Sequence, residues 1–202
     1  MVKESFCLII LLCCVTASYA VRLSTIPKSI LVNASVLPGQ VLKTGKDKIT
    51  VTWKLIENLP DGADAQFTSI KIKLCYAPVS QEDRRWRKSN DNLEKDKGCP
   101  VNVASVAYSS SNGTTMRSVD WLIEADIPSA TYFFRAYAVN ANGTQLAYGQ
   151  TTNAEKSSNL FIVMGSSGLT RGIVIASSCF SVFSIVTLAY MHAKERMAHK
   201  SR

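Results

Sequence analysis

The sequence predicts an all-β ectodomain, an immunoglobulin-like or fibronectin type III-like sandwich, followed by one transmembrane α-helix. Apolar and polar residues alternate with period two in short segments such as Lys48 to Leu55, and Pro, Gly and Asn turns separate these segments. No stretch of residues 21–168 shows a convincing helical period, whereas residues 172–191 form a run of twenty residues without a charge. About seven short strands separated by turns are typical of such a sandwich.

Two aromatic residues sharpen this fold prediction. Trp53 lies on an early strand, where sandwiches of this kind often place a core tryptophan. Tyr132 follows Pro128 at the start of a later strand, and we expect it to form a tyrosine corner, with its hydroxyl bonded to upstream backbone. Gly39–Gly45 and Pro60–Gly62 are predicted to be loops. The predicted strands are 48–55, 69–77, 101–108, 116–124, 131–139, 145–151 and 159–163.

Residues 1–20 have the features of a secretory signal peptide. Lys3 precedes an apolar run from Phe6 to Val15, and small residues mark a cut after Ala20. The alternative is a first transmembrane helix, but ten residues are too few to cross a hydrocarbon core of about 30 Å. We therefore expect a secreted domain that begins near residue 21.

The apolar run 172–191 has the length of a transmembrane helix, and the tail 192–202 is basic. This order predicts a type I single-pass membrane protein, with its N-terminal domain extracellular and its tail cytoplasmic. A GPI signal is the alternative, but such a signal ends in its hydrophobic segment. Ser177, Ser181 and Ser184 recur at i, i+4 and i+7, which favours packing on another membrane helix, unless this is chance serine content.

Two cysteines, Cys75 and Cys99, remain once the signal peptide and the membrane helix are set aside. In an oxidising compartment a disulfide is the simplest interpretation of such a pair. A metal site is the alternative, although two thiolates without a nearby His make a poor one.

Three N-x-S/T sequons begin at Asn33, Asn112 and Asn142. They indicate a glycosylated ectodomain, although any one of them can be empty. The dipeptides Asn112-Gly113 and Asn142-Gly143 are also typical of hairpin turns, which are exposed.

Catalytic chemistry has little support in this composition. Both His residues lie in the last eleven positions, which nearly excludes a His in a folded pocket. We find no motif for a metal, a phosphate or a nucleophile, so we expect no enzyme activity, no cofactor and no metal. Residues 21–170 hold 17 Lys or Arg against 13 Asp or Glu, which is no basic stripe of the kind that binds nucleic acid.

The segment 78–100 is too charged for a core strand, and it begins and ends beside the two cysteines. We interpret it as a long insertion stapled at its base, and long structured loops often carry function. Within it Arg84, Trp86, Arg87 and Lys88 form a cluster of the residue types that anchor protein interfaces. The alternatives are that Trp86 folds back onto the sandwich while the cations stay in solvent, or that the loop binds an anion.

Several motifs resemble those of the plant high-affinity nitrate transporter-activating proteins, which are small single-pass accessory subunits. The similarity extends from about Val21 through the membrane helix and is weakest before Lys48. Gly98 departs mildly from the pattern, since a more polar residue is expected there. The motifs are KIKLCYAP at 71–78, DRRWRK at 83–88, DKGC at 96–99, YFFRAYAVN at 132–140 and YGQTT at 148–152.

This resemblance implies an accessory subunit that binds a multi-pass high-affinity nitrate transporter as a hetero-oligomer and is needed for its activity or delivery. It carries Arg84, Trp86, Arg87 and Lys88 over as candidate partner contacts, and it carries over the two cysteines of KLCYAP and DKGC. The residues themselves support a binding role, because one uncharged helix offers an anion no polar path. The alternative is a cell-surface adhesion or receptor-like sandwich module.

Overall fold

The computed structural model describes residues 20–57, 59–60, 62–109, 115–165 and 171–200. The chain divides into two compact units, Met1–Gly165 and Ser166–Arg202. The predicted signal peptide, apart from Ala20, lies outside the described residues, as does the sequon at Asn112.

The first unit is built from two packed β-sheets, as predicted. The strands are β1 Ile30–Ala34, β2 Val41–Lys43, β3 Lys48–Leu55, β4 Ser69–Tyr76, β5 Val101–Ala107, β6 Arg117–Leu122, β7 Ala130–Val139, β8 Gln145–Gln150 and β9 Phe161–Met164. One sheet has the order β1-β3-β6; the other has the order β2-β9-β7-β4-β5, with β8 also paired to β7. All strand pairs are antiparallel except β2 with β9, which are parallel.

Alternation decides which side chains face the core between the sheets. On β3 the buried residues are Ile49, Val51, Trp53 and Leu55, and the residues between them face outward. Trp53 is therefore a core tryptophan, as predicted. Burying these apolar faces stabilises the sandwich by roughly 25 cal/mol for each Å² removed from water.

The two sheets also meet through a close backbone contact. Gly149 on β8 lies so near the carbonyl of Ile30 on β1 that an added Cβ would clash with it. The neighbouring Tyr148 donates its N–H to the Pro27 carbonyl at 3.0 Å. Glycine at 149 therefore allows β1 to lie against the six-stranded sheet.

Tyr132 forms the predicted tyrosine corner. Its hydroxyl donates to the Pro128 carbonyl at 2.6 Å. Burial raises the pKa of Tyr132 far above its ordinary value, so the hydroxyl stays protonated and remains a donor. This bond holds the β6–β7 connection against the start of β7.

All seven predicted strands are present, with bounds that differ by one to two residues at several ends. The prediction missed β1 and β2, and the loop assigned to Gly39–Gly45 is wrong because β2 forms within it. β2 is three residues long and exists through its parallel pairing with β9. So short a segment has too few residues to show a period of its own.

The described residues of the second unit form one helix, α1, Arg171–Lys200. Its part Gly172–Met197 is long and apolar enough to cross a membrane. The helix therefore continues past the predicted span 172–191 and through most of the basic tail.

Candidate partner-binding loop

A disulfide closes the base of the insertion 78–100. Cys75 on β4 and Cys99 before β5 are bonded to each other, as predicted. Both sulfurs lie on the outer face of the six-stranded sheet, where they form a small apolar cluster with buried Phe133 and half-buried Leu160. The insertion therefore starts and ends on a rigid part of the sheet.

Side-chain hydrogen bonds tie the first part of the insertion to its own later part. Gln81 donates through Nε2 to the Tyr76 carbonyl at 2.8 Å and to Ser89 Oγ at 2.9 Å. Its Oε1 accepts from the Ser89 N–H at 2.9 Å. Ser80 Oγ accepts from the Thr131 N–H at 2.8 Å, which joins the insertion to β7. The loop is thus ordered by specific partners.

In the cluster 84–88, the sequence did not reveal which side chains are exposed and which are buried. Trp86 is 65% exposed, whereas Arg87 is only 9% exposed. Arg84, Arg85 and Lys88 are exposed. The alternative in which Trp86 folds back and the cations stay in solvent is therefore wrong for both Trp86 and Arg87.

Arg87 lies over an aromatic ring at the end of the core. Its guanidinium carbon is 4.5 Å from the centroid of the Tyr76 ring. Its Nε and Nη1 are buried and have no hydrogen-bond partner among the residues that the structure describes, so the ring face is the group that offsets their loss of water. Arg87 thus packs on the core at the end of the short 3₁₀ turn Arg85–Arg87, in which Trp86 is exposed.

The ring under Arg87 begins a column of aromatic contacts that runs into the core. Tyr76 stacks on Tyr132 with centroids 5.1 Å apart, and Tyr132 contacts Phe161 at 6.4 Å. Phe161 stacks on Phe134 at 5.2 Å. Because aromatic rings keep defined relative geometry, the position of the loop is coupled to the core.

A second arginine, which the sequence analysis did not single out, holds the later part of the insertion. Arg135 on β7 is almost completely buried, and its Nη1 lies 3.8 Å from Oδ2 of the buried Asp96 carboxylate. Its Nε and Nη2 donate to Oε1 of Gln150, and Nη1 donates to the Tyr137 hydroxyl at 3.2 Å. The one sequence signal was an Arg inside the apolar strand YFFRAYAV.

Asp96 also organises the turn before Cys99. Its Oδ1 accepts the N–H groups of Asn90 at 3.1 Å and Gly98 at 2.8 Å. A Cβ at position 98 would clash with Ser89 Oγ, so the glycine that departs from the expected motif suits the space available. The carboxylate therefore links the insertion to β7 and closes its final turn.

Two ionisable side chains near Arg135 have shifted pKa values. Burial, with repulsion from Arg135, lowers the pKa of Lys156 below its ordinary value. Burial raises the pKa of Tyr137 above its ordinary value, so its hydroxyl stays neutral beside the guanidinium. Arg135 forms its hydrogen bonds and its ion pair within the domain, and we assign it to holding the insertion in place.

The segment that follows Ala20 is bonded to the insertion as well. Leu23 donates its N–H to the Asp91 carbonyl at 2.8 Å, and Leu93 donates to the Val21 carbonyl at 2.9 Å. Ser24 donates its N–H and its hydroxyl to the Asp91 carboxylate at 2.9 and 2.8 Å. The backbone N–H of Ser24 is the main cause that lowers the pKa of Asp91.

The other predicted site residues are also located, except Asn112. Asn33 is exposed on β1, and Asn142 is exposed in the β7–β8 turn, beside Gly143 with its φ of 79°. The hydroxyls of the three helix serines donate to carbonyls within α1, so the serines present small, apolar-like surface. Ser177 donates to Val174, Ser181 to Ser177 and Ser184 to Phe180, at 2.9–3.0 Å.

These features define a class of protein. It has an Ig-like β-sandwich with a rigid stapled loop that displays Trp86 between cations, and a helix able to cross a membrane. In the part of the chain that the structure describes, no group of three His, Cys, Asp or Glu could hold a metal ion. Such a surface suits contact with another macromolecule.

Residues 23–168 match the family described as "NAR2: High-affinity nitrate transporter accessory, Ig-like domain", and the chain belongs to this family. "High-affinity nitrate transporter 3.1" of Arabidopsis thaliana is 47% identical over 163 residues, which cover 81% of this chain and 75% of that relative. "High-affinity nitrate transporter-activating protein 2.1" of Oryza sativa subsp. japonica is 43% identical over 180 residues, 89% of this chain and 84% of that relative. The solved structure "CvAA9A" matches with a TM-score of 0.33 and 14% identity, over 66% of this chain and 60% of its own, which supports no conclusion.

Proposed function

We propose that this protein is a non-catalytic accessory subunit that binds a multi-pass high-affinity nitrate transporter and activates or stabilises it. In this proposal the sandwich lies outside the plasma membrane, α1 crosses it once, and the basic tail is cytoplasmic. The names of the relatives support the accessory role, because they include a transporter-activating protein. The observation that carries the proposal is the exposed Trp86 on a loop held in place by a disulfide.

Two of the relatives are named as transporters themselves, which is the competing assignment. Residues 172–191 of α1 contain no charged residue. An anion needs a polar path through hydrocarbon, and such a helix supplies none by itself. Nitrate transport therefore belongs to the partner in this proposal.

The loop and the helix divide the partner contact. Arg84, Trp86 and Lys88 contact the transporter directly, with Trp86 as the apolar anchor and the cations at the rim. Arg87, whose guanidinium is buried on Tyr76, acts by positioning the turn. In the membrane, Ser177, Ser181 and Ser184 allow a partner helix to approach closely. Glycans on Asn33, Asn112 and Asn142 complete the proposed mature protein.

Co-purification with the transporter in mild detergent tests the proposed function. The wild-type chain is expected to retain the transporter. Trp86→Ala should weaken retention by about thirty-fold, since an anchor Trp contributes 2 kcal/mol or more. Leu122→Ala is the matched control, because Leu122 is also exposed, at 51%, but lies on β6 of the other sheet.

Two results would count against this proposal. If the wild-type chain and transporter do not co-purify, the accessory role as a bound subunit is wrong. If Trp86→Ala and Leu122→Ala retain the transporter equally, the loop is not the anchor, and the membrane helix remains as the proposed contact.

A further inference from the structure

Three of the four outward residues of strands β2 and β9 are apolar, and the fourth, Lys43, lies opposite Met164. Val41, Ile162 and Met164 are 50%, 38% and 53% exposed, and we call this set the β2–β9 face. Val41 and Ile162 are opposite each other in the parallel pair, and Met164 is the next outward residue on β9. The three side chains therefore form one continuous strip.

This strip departs from the ordinary pattern of a sheet with one face in water. On β3 the outward residues are Thr50, Thr52 and Lys54. On β9 the outward residues are as apolar as the buried ones, since the whole strand reads FIVM. An antiparallel sheet normally alternates between apolar and polar sides when one face is solvated. A strand with two apolar faces indicates that its outer face is covered by a partner.

The strip also lies at the edge of the six-stranded sheet, where Asp47 bonds the N–H and the carbonyl of Lys43. β2 is the terminal strand of the six-stranded sheet. Natural proteins usually protect edge strands with charges or Pro, and exposed hydrophobic edges tend to associate. Lys43 is the one charged residue in β2 and β9. The β2–β9 face thus has the composition of an interface rather than of a solvated edge.

Hydrogen bonds connect this face to the candidate loop. Gly165, which follows Met164, donates its N–H to Ser129 Oγ at 2.8 Å. Two residues further along β7, the Thr131 N–H donates to Ser80 Oγ in the insertion. At the other end of β9, Leu160 packs on the disulfide cluster. Strand β9 and the insertion are therefore both bonded to the start of β7.

We infer that the β2–β9 face is a second contact surface for the transporter, and that it takes an apolar extracellular segment of that partner. The inference rests on the proposed function. Five residues, 166–170, separate Gly165 from the first residue of α1, so the strip is on the strand that leads toward the membrane-spanning segment. A multi-pass partner in the same membrane is therefore the occupant that we propose for this face.

The described sequons leave this face free. Asn33 lies on β1 of the other sheet. Asn142 lies beyond Val139, at the opposite end of β7 from Ala130, where β9 pairs. A ten-residue strand is about 33 Å long, so a glycan on Asn142 would project away from the face.

An engineered glycan gives a direct test. Val41→Asn with Lys43→Thr creates a sequon from two exposed positions and leaves the core residue Leu42 unchanged. The glycosylated variant should lose at least tenfold in co-purification with the transporter. Val41→Gln with Lys43→Thr is the matched control, because it changes the same positions without an acceptor, and it should retain most binding. A gel shift and an unchanged Tm show that the glycan is present and the sandwich folded.

A second variant tests the inference if the sequon variant is not glycosylated or does not fold. Ile162→Thr with Met164→Thr keeps strand-forming residues and removes two of the three apolar side chains of the strip, so it should also lower co-purification about tenfold. If the wild-type chain binds the transporter and the folded variants bind equally well, this inference is wrong and the proposed function stands. If the wild-type chain forms a dimer by light scattering that these variants dissociate while transporter binding is unchanged, the occupant is a second copy and the inference is wrong. If the wild-type chain does not bind the transporter, both proposals are wrong.

Discussion

Arg87 places its guanidinium over the ring of Tyr76, with 4.5 Å between the guanidinium carbon and the ring centroid. The two residues belong to different parts of the molecule, one in the stapled loop and one at the end of a core strand. Their contact couples the turn that displays Trp86 to the aromatic column inside the sandwich. A residue that sequence analysis assigned to the contact surface thus packs against the core in the structure.

Replacing Arg87 should destabilise the sandwich. Arg87→Ala removes a desolvated cation–π contact, which contributes about 2 kcal/mol. For a domain of this size that corresponds to a Tm lower by about 4–8 °C. Arg85→Ala is the matched control from the same turn, since the Arg85 side chain is exposed and should change Tm little. Thermal unfolding curves that coincide for the two variants would contradict the positioning role.

The disulfide should be resistant to alkylation and important for stability. Intact mass after alkylation in denaturant without reductant should show Cys75 and Cys99 unlabelled, while the free Cys179 is labelled. Cys75→Ser with Cys99→Ser should cost about 3.5 kcal/mol, because the unfolded chain without the cross-link regains the entropy of an open loop. Label on both ectodomain cysteines before reduction would show that the bridge is absent.

Much of the sandwich could be predicted because its signals are local. The alternation of β3, the core position of Trp53 and the corner formed by Tyr132 each depend on a few neighbouring residues. The pairing of Cys75 with Cys99 followed from counting, since no other cysteine remained in that domain.

The parts that could not be predicted depend on contacts between distant segments. Position 41 forms a strand because position 162 lies beside it. Arg87 is buried and Trp86 exposed because Tyr76 and the disulfide fix where the turn lies, whereas composition alone makes Trp the residue more easily buried. The buried pair of Arg135 and Asp96 has the same origin.

Removing the hydroxyl of the tyrosine corner should weaken the fold moderately. Tyr132→Phe loses the bond to the Pro128 carbonyl, which contributes about 1 kcal/mol. The pKa of Tyr132 is raised on folding, so its stabilisation is present below the pKa of the unfolded residue, about 10, and is lost at higher pH. Urea unfolding at pH 7 and pH 11 measures both effects, and the variant should lose less stability between the two. An equal loss in both proteins would exclude this role for Tyr132.

Acid should weaken the bonding of the segment Val21–Thr25 to the insertion, because it protonates the Asp91 carboxylate that accepts from Ser24. Hydrogen bonds from Ser24, its backbone N–H first, lower the pKa of Asp91. Because the pKa of Asp91 is lowered in the folded protein, the ionised carboxylate stabilises this contact at pH values above the ordinary Asp pKa. This stabilisation is lost as the pH falls through the folded pKa. NMR titration should give Asp91 a pKa below its ordinary range and a higher value in Ser24→Ala. Identical values in the two proteins would show that the hydroxyl does not act on Asp91.

The accessory role predicts the outcome of a transport assay. Cells that lack high-affinity nitrate uptake should take up no more labelled nitrate with this chain than with an empty vector. Residues 172–191 contain no charged residue, so this helix alone offers an anion no polar path through the membrane. Co-expression with the transporter should raise uptake above that of the transporter alone. Trp86→Ala should reduce this gain while Leu122→Ala does not, with equal amounts of each chain at the cell surface, since only the first change removes the proposed anchor.

Uptake by this chain alone, clearly above the control, would instead assign transport to the protein itself. A gain that persists in Trp86→Ala would place activation in α1, where Ser177, Ser181 and Ser184 are the next positions to change.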